Sequence, residues 1–93
     1  MRVEAKSQKS RQLVVIGTGG HAANVFNVAC SNGYSIYAFI HDGRAGETLF
    51  EIPILPDVAE VGAVDQHDFA IAIGDNYQRE QAAHQLQERF PGL

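Results

Sequence analysis

The feature that most constrains this chain is a change of hydrophobic period across residues 13–32. Leu13-Val14-Val15-Ile16 is a continuous apolar run of mainly β-branched residues, and Gly17-Thr18-Gly19-Gly20 breaks it. A run that is apolar on both faces fits a central parallel strand covered by helices on each side. Over residues 21–32 the period becomes helical. Ala22, Val25, Phe26, Ala29 and Cys30 fall at i, i+3, i+4, i+7 and i+8, which makes one apolar stripe. In that stripe Cys30 reads as a buried small hydrophobe. Asn32-Gly33 supplies the stop, because glycine accepts the left-handed conformation without a Cβ clash.

Residues 34–40 (YSIYAFI) are β-branched and aromatic enough to predict a second strand, and residues 43–51 read as a loop. Ile52-Pro53-Ile54-Leu55 predicts a short edge strand, since proline cannot donate to an interior ladder. Asp57 is placed to cap a short helix over 58–64. Residues 69–73 (FAIAI) predict a further buried strand that ends in Gly74-Asp75-Asn76. Asp75 or Asn76 then caps a helix over 77–90, with Ala82, Ala83, Leu86 and Phe90 as its apolar positions and Pro91-Gly92 as its stop. The order β-α-β-β-α-β-α predicts an α/β fold: a parallel sheet of order 3-2-1-4 with helices on both faces. A doubly wound sheet would normally continue into another strand after the last helix, so the chain reads as a piece of something longer.

With 93 residues the sequence has room for one small domain. Its single cysteine excludes an intramolecular disulfide framework and fits a reduced, cytoplasmic setting. No apolar run approaches the roughly 20 residues that cross a bilayer, so membrane insertion is not expected. Charge is unevenly placed. Residues 1–12 hold Arg2, Lys6, Lys9 and Arg11 against Glu4, and residues 1–11 read as a disordered basic leader. Residues 13–93 hold Arg44, Arg79 and Arg89 against ten acidic groups. That balance excludes general nucleic-acid binding, which needs clustered Lys and Arg. The expected domain is 12–93.

Gly17, Gly19 and Ala22 occupy the three marked positions of G-x-G-x-x-G/A, between a strand and a helix. Gly17 permits the tight turn, Gly19 lets a pyrophosphate approach the backbone, and Ala22 lets helix and strand pack closely. Gly20 and His21 follow at the helix N-terminus, where free N–H groups suit an anion. A glycine turn made only for packing is the plain alternative. Asp42 ends the second strand twenty-five positions after Gly17. It is a candidate acceptor for ribose hydroxyls, or a simple turn residue. Gly74, Asp75 and Asn76 would face the glycine loop across the crevice at the carboxyl ends of the strands. Capping explains Asp75 and Asn76 equally well. Arg79 is placed for a phosphate or for solvent, and His21 for a ligand or for packing. His41, His67 and His84 show no metal-ligand spacing. The chain lacks a G-x-x-x-x-G-K-[ST] loop and a nucleophile elbow. The residues alone describe a nucleotide-binding half-domain without visible catalytic machinery. A truncated NAD(P) module and a non-catalytic regulatory or assembly domain that has lost its ligand both stay open.

Taken together, LVVIGTGGHAANVFNVACSNGYSIYAFIHDG, the later PIL and FAIAIGDNYQRE resemble the N-terminal domain of bacterial sugar acyltransferases. These are of the sialic-acid O-acetyltransferase and bacillosamine N-acetyltransferase type. The resemblance spans about 12–90 and rests on Gly17-x-Gly19-Gly20-His21, His41-Asp42, Pro53-Ile54-Leu55 and Ile73-Gly74-Asp75-Asn76 with Arg79. It implies a Rossmann-like domain that binds the UDP part of a nucleotide-linked amino sugar, in polysaccharide biosynthesis. On that resemblance Gly19, Gly20 and His21 lie beside the diphosphate and sugar, Asp42 contacts uridine, and Gly74, Asp75 and Asn76 line the pocket. It further implies a separate left-handed β-helix domain that binds acetyl-CoA, supplies the catalytic histidine and builds a homotrimer. This chain has no β-helix repeats, so acetyl transfer by these residues alone is not expected. The sequence departs from the family pattern at two places. Ala23 stands where a lysine is usual, and His41 stands where the first of two acidic residues is often found.

Overall fold

The computed structural model describes residues 12–62 and 66–89. The apolar run becomes β1 (Gln12–Ile16), in which Leu13, Val14 and Val15 are all fully buried. Successive strand residues point to opposite faces, so three consecutive buried positions require cover on both sides. Helix α1 (Gly20–Ser31) supplies one cover through Ala22, Val25 and Ala29. These pack with Leu13, Val15, Ile36, Phe39, Ile54, Ala70 and Ala72. The opposite face carries Val14 and Ile40, covered by Val58, Val61 and the half-buried Leu86.

The remaining elements are β2 (Ser35–Ile40), β3 (Thr48–Leu49), β4 (Ile52–Leu55), β5 (Asp68–Ile71) and α2 (Asn76–Arg89). Single turns of 3₁₀ helix lie at Asp42–Arg44 and Val58–Val61. The sheet runs β3-β4-β2-β1-β5, with β1 parallel to both β2 and β5, β2 parallel to β4, and β3 antiparallel to β4. The α/β class is therefore as expected, with a mostly parallel sheet. The expected order 3-2-1-4 is corrected to this five-strand order. Residues 43–51 are not simply a loop, because Phe50 and Glu51 both take positive φ (52° and 66°) and fold the chain back in two residues. The Ile54 N–H then donates to the Glu47 carbonyl at 2.9 Å, and the Gly46 N–H donates to the Ile54 carbonyl at 3.1 Å. The strand Ile52–Leu55 is thus one in from the edge. It pairs with β2 only beyond Pro53, at Phe39↔Ile54 and Ile40↔Leu55.

Register slips between β1 and β2: Leu13 faces Ile36, but Val14 faces Ala38, which leaves Tyr37 as an extra residue. The bulge turns the strand so that Phe39 joins Ile36 on the α1 side. Tyr37 stays exposed, with its ring 4.6 Å from that of His67.

Helix α1 ends as its Asn-Gly predicts. The Asn32 side chain donates to the Val28 carbonyl at 2.7 Å, and Gly33 takes φ +85°. Cys30 is exposed, a correction to its place in the stripe. At about 100° per residue it lies a quarter turn past buried Ala29, beyond the edge of the packed face. The helix expected over 58–64 is the 3₁₀ turn Val58–Val61, and the Asp57 side chain makes no capping hydrogen bond there. The leader at 1–11, Val64, Phe90 and Pro91-Gly92 lie outside the described residues. Among the described residues no helix is long and apolar enough to cross a membrane.

Candidate functional site

Three strands end at one edge of the sheet, and Gly17 sits where they meet. Its N–H donates to the Ile40 carbonyl at the end of β2, at 3.0 Å. Just past β5, the Ala72 N–H donates to the Ile16 carbonyl at 2.8 Å. Gly17 has φ +118°, and a Cβ there would lie 2.6 Å from the Ala72 carbonyl oxygen. Only glycine satisfies both demands. From β1 the chain leaves through α1 toward β2 on one side, while β5 flanks β1 on the other. The glycine loop therefore occupies the point where the strand order reverses.

Gly19 is the residue before α1, with extended backbone, and its carbonyl accepts from the Ala22 N–H at 3.0 Å. Neither Gly19 nor Gly20 is dictated by internal contact. Among the described residues, a Cβ at either would meet nothing within 4 Å. Helix α1 has no side-chain cap and no acidic residue in its first turn. The partial positive charge of its N-terminus is thus not offset locally, as an anion site requires.

His21 joins the two loops. Its Cδ2 and Nε2 lie 2.8 Å from the position a Cβ on Gly74 would take, so the imidazole rests over the bare backbone of Gly74. Any side chain at 74 would displace it. Among the described residues His21 makes no side-chain hydrogen bond, and it is exposed. The expected meeting of the loops at 17–21 and 74–76 is a contact in the fold.

Asp75 caps α2: its Oδ1 accepts from the Gln78 N–H at 2.8 Å, and its carbonyl accepts from the Arg79 N–H at 2.9 Å. Asn76 opens the helix, and its Oδ1 accepts from Arg79 Nη2. Arg79 is therefore folded back onto Asn76 at the rim of the crevice. Asp42 is exposed, first in its 3₁₀ turn and one residue past His41. The His41 ring lies over Gly43, where a Cβ would come within 3.0 Å of Cε1, and its Nδ1 accepts from the Gly43 N–H at 3.1 Å. An N–H can only donate, so that nitrogen bears the lone pair and the ring proton sits on Nε2. Sequence reasoning passed over this fixed ring. Its signal was the Gly two places after His41.

The carboxyl ends of the strands therefore bring together the loop holding Gly17, Gly19, Gly20 and His21 and the loop holding Gly74, Asp75, Asn76 and Arg79, through the His21–Gly74 contact, with Asp42 at the neighbouring strand end. Among the described residues no group of three or more His, Cys, Asp or Glu converges as a metal site. The arrangement offers bare backbone, an uncompensated helix N-terminus and an imidazole.

A family model, the PglD N-terminal domain, matches residues 12–86. No curated protein matches the chain. The matched span runs from β1 well into α2 and takes in every candidate residue from Gly17 to Arg79. With most of its length so matched, this chain belongs to the PglD N-terminal domain family.

Proposed function

We propose that the chain is the UDP-sugar-binding domain of a sugar N- or O-acyltransferase whose substrate is a nucleotide-linked amino sugar. Family membership supports the nucleotide-sugar-binding half of an acetyltransferase. The observation that carries the reading to these residues is the His21 ring seated over Gly74, which brings together two loops far apart in sequence. In this reading the diphosphate lies against the Gly19 and Gly20 backbone, where nothing internal fills the space. The α1 N-terminus faces its charge. Gly17 fixes the turn, His21 donates to a phosphate or sugar oxygen, and Asp42 accepts from the uridine. Gly74, Asp75 and Asn76 form the opposite wall, and Arg79 swings from Asn76 toward phosphate. Acetyl transfer from acetyl-CoA, the catalytic histidine and trimer assembly fall to a separate domain. No acyl-transfer step is assigned to this chain.

One observation favours a second reading, an assembly domain without ligand: Asp75 and Arg79 already have partners in the fold. Amide NMR spectra of the 93-residue chain titrated separately with UDP and NAD decide between them. Saturable shifts at Gly19, Gly20, His21, Asp42 and Gly74 with UDP alone are expected. Response to NAD alone would move the site to the dinucleotide class, and silence with both would leave the assembly reading.

A further inference from the structure

Helix α2 starts beside the glycine loop and lies against β5, and near its far end it has a second attachment, to the 3₁₀ turn at Val58–Val61. None of its fourteen residues is buried; Ala82, Ala83 and Leu86 are half-buried. Leu86 packs against the cluster of Val14, Ile40, Val58 and Val61. Beside that contact, Arg89 donates from Nη1 to Asp57 Oδ1 at 2.8 Å and from Nη2 to Asp57 Oδ2 at 2.6 Å. The two partners are 32 residues apart, and Asp57 opens the same 3₁₀ turn that receives Leu86. At the near end the helix begins after Gly74, which has no side chain to anchor it and has the His21 ring over its backbone.

We propose that the Asp57–Arg89 pair positions the crevice by setting the direction of α2, and with it the placement of Asp75, Asn76 and Arg79. The proposal rests on the UDP reading above for its ligand. A surface ion pair contributes little to stability as a rule, but two parallel N–H···O bonds fix a plane as well as a distance. Direction matters here because the lever is long. Asn76 lies ten residues before Leu86, about 15 Å along a helix axis. A tilt of 10° about Leu86 would carry Asn76 through roughly 2.6 Å, against the ~0.5 Å tolerance of a working site. The Arg89 guanidinium holds the Asp57 carboxyl below the usual carboxylate range, so the pair stays charged at neutral pH. Asp57 and Arg89 touch no ligand in this account and act through α2 alone.

Amide spectra of the ligand-free 93-residue chain read the placement of residues 74–79 directly. Arg89→Ala is expected to shift the amides of His21 and residues 74–79. Its melting temperature should stay within about 3 °C of the parent. UDP affinity should fall about 3- to 10-fold. Arg89→Lys keeps the charge without the fork and should restore part of both, and the reversed pair Asp57→Arg with Arg89→Asp should restore most. Unmoved amides at 74–79, or a loss that reversal does not restore, would overturn the proposal. If Arg89→Ala does not fold, Asp57→Asn, nearly isosteric and uncharged, gives the same two outcomes. If the parent chain fails to bind UDP, the functional reading falls, while the ligand-free shifts still decide whether the pair sets the helix.

Discussion

Helix α1 buries Ala22, Val25 and Ala29 against one face of the sheet, whereas no residue of α2 is buried on the other. The first helix is fixed by apolar packing around the fully buried Phe39, Leu13 and Val15. The second has no buried residue and is fixed by the half-buried Ala82, Ala83 and Leu86, an Asp75 cap and an ion pair. The two loops that meet at His21 and Gly74 lead into these two helices, so one loop is backed by buried core and the other by a helix that is only partly covered.

The comparison breaks most sharply in the core. Phe39→Ala should destabilise by about 3–5 kcal/mol, the cost of a large cavity on the α1 side. Leu86→Ala, on the other face, should cost less, about 1–2 kcal/mol, because that side chain is only partly buried and its site opens to solvent. Urea denaturation of both variants measures the difference. Equal losses would mean that α2 is as firmly packed as α1.

Within the glycine loop, two glycines two residues apart should separate cleanly in role. Gly17→Ala places a Cβ against the Ala72 carbonyl at positive φ and should cost about 3 kcal/mol of stability. Gly19→Ala meets open space and should cost little stability, while weakening UDP binding about tenfold, or 1.4 kcal/mol. Denaturation and a UDP titration on each variant test the pair. A Gly19→Ala chain that binds UDP unchanged would remove the phosphate from this loop.

The sequence made some of this legible and hid the rest for physical reasons. The period change at 13–32 announced β1, the glycine turn and α1, because each is a local pattern of side chains. The glycine loop and Gly74-Asp75-Asn76 were legible as strand ends for the same reason. Cys30 was misplaced because a stripe read by spacing has no sharp edge. The bulge at Tyr37 was invisible, since an extra residue in a strand leaves apolar alternation ambiguous in YSIYAFI. The His21–Gly74 contact and the Asp57–Arg89 pair join residues 53 and 32 positions apart, and no local period reports such meetings.

The hairpin at β3 and β4 was hidden because its turn breaks the usual chemistry, and that gives the smallest effect expected. Two-residue hairpins favour Asn-Gly or Gly-Gly, whose backbones accept positive φ, but here Phe50 and Glu51 stand at φ 52° and 66°. Phe50 has a compensating contact: its ring stacks on that of Phe26 in α1, with centroids 4.4 Å apart. Glu51 is exposed and makes no side-chain hydrogen bond among the described residues. Glu51→Gly should therefore relieve backbone strain while removing no contact, and the larger conformational freedom of glycine in the unfolded chain offsets part of the gain. A net stabilisation of about 0.5 kcal/mol is expected, read as a higher urea midpoint at unchanged slope. Phe50→Gly should do the reverse, because it relieves the same strain but takes away the ring that fastens this hairpin to the rigid helix. If both substitutions stabilise, the stacked pair contributes nothing, and the α1 side owes its firmness to the buried core alone.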